Sequence, residues 1–116
     1  MTAKTLTSDH RLASYGTLAP GRENHHVMGG MLGQWESGVV RGHLCPKGWG
    51  ATRGFPGLIL DRDGVDVPVM IFSSSDLPDH WERLDAFEGP DYHRVVTDIE
   101  TKDGVISASI YVVERD

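Results

Sequence analysis

The sequence predicts a small α/β domain of the α+β type, in which mostly antiparallel strands surround one helix. Three observations favour this fold class. The chain has 116 residues, which suits a single domain over 1–116 with a core at about 11–113. Its 14 glycines indicate many tight turns rather than long helices. Several short segments alternate apolar and polar residues, whereas one segment in the last third has the spacing of a helix.

Four strands are predicted in the first two thirds of the chain, at residues 11–18, 38–44, 58–60 and 65–72. The segments between them are a Pro-Gly loop at 18–24, a short helix at 25–32, an irregular glycine-rich stretch at 47–57 and a turn at 61–64. Gly38 and Gly42 indicate bends or a bulge in the second strand. Pro68 lacks a backbone N–H, which indicates a sheet edge or a bulge in the fourth.

The helix is predicted over residues 77–88. Serine and aspartate side chains at 73–76 can cap its first turn, and Pro78 suits a position at the helix start. Gly89 and Pro90 end it.

A β-hairpin is predicted after the helix. Its strands cover 93–100 and 105–113, and the turn at 102–104 joins them. In the last strand the residues of one face are all apolar: Ile106, Ala108, Ile110 and Val112.

One carboxylate of the helix is predicted to point inward. The spacing i, i+4, i+7, i+11 of a buried helix face is occupied by Leu77, Trp81, Leu84 and Glu88. Burial of a carboxylate raises its pKa, so Glu88 is a candidate general acid and base. Alternatively, the helix frays at residue 87 and leaves Glu88 exposed. Asp85 and Asp91 lie off the stripe and are interpreted as surface charge or capping residues.

A second candidate feature is the segment Tyr15-Gly16-Thr17-Leu18. A strand that ends in such a segment before a Pro-Gly loop can direct several backbone N–H groups at one point, which binds a carboxylate without Lys or Arg. The alternative interpretation is an ordinary turn from strand to loop.

Composition excludes several classes of function. The net charge is −6, from 17 acidic and 11 basic residues, so no nucleic-acid partner is expected. No apolar run approaches the roughly 20 residues that span a bilayer, and the first residues do not have the pattern of a signal peptide. We therefore expect no membrane partner and a cytoplasmic location.

Metal and thiol chemistry are also disfavoured by the sequence. The six histidines lack metal-binding spacing, and His25 and His26 are adjacent, which points their rings in different directions. Cys45 is the single cysteine, which excludes an internal disulfide, and no base neighbours it in sequence.

The stretches YGTLAPGRENHH at 15–26 and LDAFEGPDYHR at 84–94 together resemble the gamma-glutamylcyclotransferase-like family. Members show Tyr-Gly-Thr/Ser-Leu after the first strand, and later Leu-Asp-x-Phe/Tyr-Glu-Gly followed by Tyr-x-Arg. The resemblance covers roughly 13–99 and is closest to short bacterial members similar to gamma-glutamylamine cyclotransferases. Ala19-Pro20 departs from the basic or polar residues that often follow the first motif, which puts the pocket entrance in doubt.

The resemblance implies a small mixed, mostly antiparallel β-barrel with flanking helices and a cavity at one end. It implies that Glu88 is the acid and base, and that the backbone of Tyr15, Gly16, Thr17 and Leu18 binds the glutamyl carboxylate. It also implies that Tyr92 lines the pocket, while Arg94 pairs with Asp85 or lies at a strand edge.

The implied reaction converts a γ-glutamyl amine or γ-glutamyl amino acid to 5-oxoproline and the free amine. It needs no cofactor or metal, since the substrate supplies its own nucleophile, and we expect a monomer or weak dimer. The alternative is a noncatalytic module of the same fold that binds a small carboxylated metabolite.

Overall fold

The computed structural model of the protein describes residues 7–15, 25–45, 57–90 and 92–113. Six strands lie in these ranges: β1 Arg11–Ser14, β2 Gln34–Cys45, β3 Gly57–Leu60, β4 Val65–Ser73, β5 His93–Thr101 and β6 Gly104–Val112. The described residues also contain one α-helix, α1, at Trp81–Glu88, and three 3-10 helices at Ser8–His10, His25–Met28 and Leu77–Asp79.

The six strands form one sheet in the order β3-β2-β4-β1-β6-β5, which curls until β2 also meets β5. Strand β2 pairs with β4 over most of its length and with β3 at its end, and its Val39 lies opposite Glu100 of β5. The β1–β6 pairing is parallel, and the other described pairings are antiparallel. The result is a small mixed, mostly antiparallel barrel with flanking helices, which confirms the predicted fold class.

The barrel interior is filled by apolar residues from all six strands. Fully or nearly buried members are Ala13, Val40, Leu58, Val67, Val69, Ile71, Ile99, Ala108 and Ile110. The predicted inward face of β6 is confirmed, because Ile106 and Val112 pack against the same core. Gly38 is explained by this packing, since a β-carbon there would lie only 2.7 Å from Cγ2 of Ile99. The register of β2 with β4 is unbroken from Gln34 to Gly42, so the bulge predicted at Gly38 is not found in this pairing.

A second apolar layer joins α1 to the outside of the barrel. Its buried members are Leu12, Met28, Phe72, Leu77, Trp81, Leu84 and Tyr111. Tyr111 belongs to this outer layer because it alternates along β6 with the inward residues. One wall of the barrel therefore separates the interior from the helix.

The prediction that the helix begins at residue 77 is wrong. His80 donates its backbone N–H to the Leu77 carbonyl at 2.8 Å, which closes a 3-10 turn, and α1 begins only at Trp81. The indole of Trp81 then donates to the Asp9 carbonyl at 3.0 Å. One end of the helix is thus held by a contact with the N-terminal turn, which periodicity does not reveal.

Two strand boundaries also differ from the prediction. Strand β1 ends at Ser14 rather than at residue 18, and β2 begins at Gln34, four residues earlier than expected. The early start of β2 places Trp35 opposite Phe72, with ring centroids 5.0 Å apart. The predicted loop at 18–24 and residues 47–56 of the irregular stretch lie outside the described residues.

The prediction that Pro68 lies at a sheet edge or a bulge is wrong, because β4 lies between β2 and β1 in the sheet and its register with β2 is unbroken. Pro68 lies opposite Val39 of β2, and the described residues of β1 pair only with residues 70–73 of β4. No helix in the described part of the chain has the length and apolar character required to cross a membrane.

Candidate active site

The end of α1 carries the carboxylate singled out by the sequence. The helix continues through Glu88 and ends at Gly89, whose φ of 87° favours glycine and whose N–H donates to the Asp85 carbonyl at 3.1 Å. Glu88 is half-buried, one turn beyond the fully buried Leu84. The alternative of a helix that frays at residue 87 is therefore wrong, and Glu88 holds a defined place at the helix end.

Tyr15 lies just past β1, where its hydroxyl joins two strands of the barrel. The hydroxyl donates to the backbone carbonyl of Tyr111 at 2.7 Å and accepts the backbone N–H of Leu58 at 3.1 Å. Two residues after Tyr111, the N–H of Val113 donates directly to the Leu58 carbonyl at 2.9 Å. We call this junction of Leu58, Tyr15 and the Tyr111 carbonyl the barrel seam. At the seam a phenol oxygen bridges β3 and β6.

The electrostatics of Tyr15 link it to the other predicted site residues. Burial raises the pKa of Tyr15 far above its ordinary value, and the hydrogen bond from Leu58 opposes this rise. The charges of Tyr92 and Glu88 raise the pKa further. The pKa of Tyr15 therefore links three of the predicted residues, Tyr15, Glu88 and Tyr92, electrostatically.

The other predicted ligand groups lie outside the described residues. These are Gly16, Thr17 and Leu18, which follow Tyr15 directly in the chain. The predicted carboxylate-binding segment and the cavity at its side stay predictions. Within the described ranges there is no cluster of three or more His, Cys, Asp or Glu side chains suited to a metal ion.

A second cluster, which the sequence did not reveal as a unit, surrounds Asp85. The Arg94 guanidinium donates from Nε to Oδ1 at 2.9 Å and from a terminal nitrogen to Oδ2 at 3.3 Å. The hydroxyl of Tyr111 donates to the same Oδ1 at 2.7 Å. We call Asp85, Arg94 and the Tyr111 hydroxyl the helix clamp. The predicted pairing of Arg94 with Asp85 is confirmed, but the interpretation of Asp85 as surface charge or a cap missed the third partner.

The helix clamp holds Asp85 ionised and Tyr111 neutral. Partial burial opposes ionisation of Asp85, but the hydrogen bonds from Arg94 and Tyr111 and the charge of Arg94 outweigh it and lower the pKa of Asp85. Burial raises the pKa of Tyr111, and the hydrogen bond to Asp85 and the charges of Asp85 and Glu88 raise it further, against the charge of Arg94. The charge of Glu88 therefore raises the pKa of both Tyr111 and Tyr15.

Comparison with known proteins identifies the family. The family model described as gamma-glutamyl cyclotransferase, AIG2-like, matches residues 12–116, so the chain belongs to this family. No curated protein sequence matches the chain.

Solved structures share the fold. An AIG2-like protein from Mus musculus has a TM-score of 0.72 at 23% identity, over 90% of this chain and 76% of its own. YkqA from Bacillus subtilis has a TM-score of 0.69 at 24% identity, over 90% of this chain. This chain spans only 36% of the length of YkqA. A protein from Arabidopsis thaliana, solved in solution, has a TM-score of 0.63 at 26% identity, over 90% of this chain and 68% of its own.

Proposed function

We propose that this protein is a cyclotransferase that converts a γ-glutamyl amine or a γ-glutamyl amino acid to 5-oxoproline and the free amine. The observation that carries the proposal is the position of Glu88. Its carboxylate lies half-buried at a fixed helix end and acts electrostatically on Tyr15, the first residue of the other family motif. Family membership supports a cyclotransferase-type activity in general, and the two converging motifs support this reaction.

In the proposed reaction the substrate supplies its own nucleophile. The α-amine attacks the γ-carbonyl carbon, a carbon–nitrogen bond closes the five-membered ring, and the bond to the former γ-amine breaks. One proton must leave the attacking nitrogen and one must reach the departing nitrogen. Glu88 accepts the first as a carboxylate and returns it as a carboxylic acid, so a single group balances the proton transfer.

Binding of the substrate also lowers the activation barrier. An amine held close to its own carbonyl reacts as part of one molecule, which replaces an encounter in solution by positioning. In the proposal, backbone N–H groups of Gly16, Thr17 and Leu18 bind the α-carboxylate, and the hydroxyl of Tyr92 lines the pocket. The nearby Tyr15 and Tyr111 hydroxyls do not transfer protons, because each already donates a hydrogen bond and their raised pKa values keep them neutral.

The proposal is tested with the purified protein and a panel of γ-glutamyl compounds that differ in the leaving amine. Members of the panel are γ-glutamyl amino acids, a γ-glutamyl-lysine isopeptide, a simple γ-glutamyl alkylamine and glutathione. We expect release of 5-oxoproline from at least one of the non-glutathione compounds. Binding of these compounds without release would support the noncatalytic alternative. The cytoplasmic location and the monomer or weak dimer predicted from the sequence stay part of this proposal.

A further inference from the structure

The helix that presents Glu88 is too short to fix its own direction. Helix α1 has eight residues, and its N-terminus at His80 has no side-chain cap. Isolated helices of this length are unstable in water, so tertiary contacts must hold α1 in place. The contacts that hold it therefore also decide where the Glu88 carboxylate lies.

Two of these contacts come from one rung of the β5–β6 hairpin. Arg94 and Tyr111 are direct register partners across the two strands, and both donate to the Asp85 carboxylate. The guanidinium carbon of Arg94 also lies 4.3 Å from the centre of the Trp81 ring, at the start of the helix. One arginine thus contacts both turns of α1.

Tyr111 is shared between the helix clamp and the barrel seam. Its side-chain hydroxyl donates to Asp85, and its backbone carbonyl accepts the hydroxyl of Tyr15. A continuous series of hydrogen bonds and covalent bonds therefore runs from Asp85 through Tyr111 to Tyr15. Glu88 follows Asp85 by three residues, about 60° around the helix and about 4.5 Å along it. Tyr15 immediately precedes the segment proposed to bind the substrate carboxylate.

We propose that Asp85 and Tyr111 are positioning residues that set the distance between the Glu88 carboxylate and Tyr15. This inference rests on the proposed function, because it assigns their role within that site. Asp85 itself does not transfer a proton. Three donors occupy its oxygens, whereas the proposed proton carrier Glu88 lies one turn further along the helix.

The two residues differ in what their loss removes. Tyr111→Phe removes one hydrogen bond and leaves the Asp85–Arg94 ion pair and the local charge intact. Asp85→Asn also removes the negative charge that pairs with Arg94. Glu82→Gln is the matched control, because Glu82 is an exposed carboxylate one turn earlier on the same helix.

The first experiment measures kcat, KM and their pH dependence on the best substrate of the panel. Misplacement of a reacting group by about 1 Å can cost roughly 10²-fold. We expect Tyr111→Phe and Asp85→Asn to lower kcat by about 10- to 10²-fold with KM changed less than about threefold, and Glu82→Gln to match the wild type. The pH profile of kcat should stay in place in Tyr111→Phe, which leaves the charges of the helix clamp intact. Unchanged kcat in both folded variants would overturn the proposal, as would losses fully explained by the unfolded fraction.

A second experiment needs no substrate and therefore separates this inference from the proposed function. Amide hydrogen exchange is compared at the end of α1, where the Gly89 N–H bonds to the Asp85 carbonyl, and in the centre of β4. We expect Asp85→Asn and Tyr111→Phe to speed exchange at the helix end, with β4 and the Glu82→Gln control unchanged. Exchange at the helix end equal to that of the control would overturn the positioning role, even where the wild type turns over substrate. Absence of turnover by the wild type would reject the proposed function, while the exchange data still decide whether the helix clamp fixes the helix end.

Discussion

The barrel seam and the helix clamp both depend on a tyrosine hydroxyl, but the partners of the two hydroxyls differ. At the seam, the partners of the Tyr15 hydroxyl among the described residues are two backbone groups, one on each of two strands. In the clamp, Tyr111 bonds to a carboxylate that also pairs with an arginine. The Leu58 partner at the seam is fully buried, whereas the Asp85 side chain in the clamp is 44% exposed.

This difference indicates that the two tyrosine hydroxyls serve different purposes: one stabilises the barrel and the other positions the helix. A buried backbone N–H that loses its partner pays its full desolvation cost, because water cannot replace the bond. A partly exposed carboxylate that loses one donor is rehydrated, and its ion pair contributes little to stability. The seam is therefore expected to hold the barrel together, and the clamp to hold the helix at one position on a barrel that is stable without it.

The largest expected effect on stability is that of Tyr15→Phe. The change leaves the Leu58 N–H and the Tyr111 carbonyl without their shared partner, so we expect a loss of about 2–4 kcal/mol in the free energy of unfolding. Tyr111→Phe is the same chemical change at the clamp, and we expect it to cost only about 1 kcal/mol. Urea denaturation of the two variants measures both values. Equal losses would show that the seam and the clamp do not differ in this way.

An alkaline titration probes both hydroxyls at once. The pKa values of Tyr15 and Tyr111 are raised in the folded protein, so their contribution to stability is complete below the unfolded value of about 10 and is lost as the pH rises above it. We expect two of the three tyrosines to ionise only when the barrel unfolds. Tyrosinate absorbance should follow the loss of circular dichroism. Ionisation of all three in the folded protein near pH 10 would contradict the hydrogen bonds at both places.

The smallest expected effect is the loss, at acidic pH, of the contribution that the clamp makes to the free energy of unfolding. The pKa of Asp85 is lowered in the folded state, so its contribution is present above the unfolded value of about 3.9 and is lost as the pH falls through the folded value. Because Asp85 is partly exposed, we expect Asp85→Asn to cost less than about 1 kcal/mol at pH 7. The difference from wild type should vanish in acid. A difference that persists at pH 2 would show that charge is not its source.

Local patterns in the sequence predicted the features that depend on neighbours along the chain. Helical spacing identified the buried positions Leu77, Trp81 and Leu84, and alternation identified the inward face of β6. The Asp85–Arg94 pairing was also anticipated, since the two residues lie within one motif.

The long-range contacts of the site depend on strand register and barrel closure, which no local pattern encodes. Tyr111 follows Asp85 by 26 positions, and its contact exists only because Tyr111 pairs with Arg94 across the β5–β6 hairpin. The bond from Tyr15 to Tyr111 spans 96 positions and requires the curled sheet. The bond from the Trp81 indole to a carbonyl 72 positions earlier depends on the tertiary fold in the same way.

The most direct test of the central claim is the turnover of Glu88→Gln on a compound that the wild type converts to 5-oxoproline. The substitution keeps the size and hydrogen-bonding capacity of the side chain but cannot carry the proton, which is typically worth about 10² to 10⁴ in rate. We predict a fall in kcat of that order with the substrate still bound and the fold intact, while Glu82→Gln keeps the wild-type rate. Near-wild-type turnover by folded Glu88→Gln would contradict the assignment of Glu88 as the acid and base.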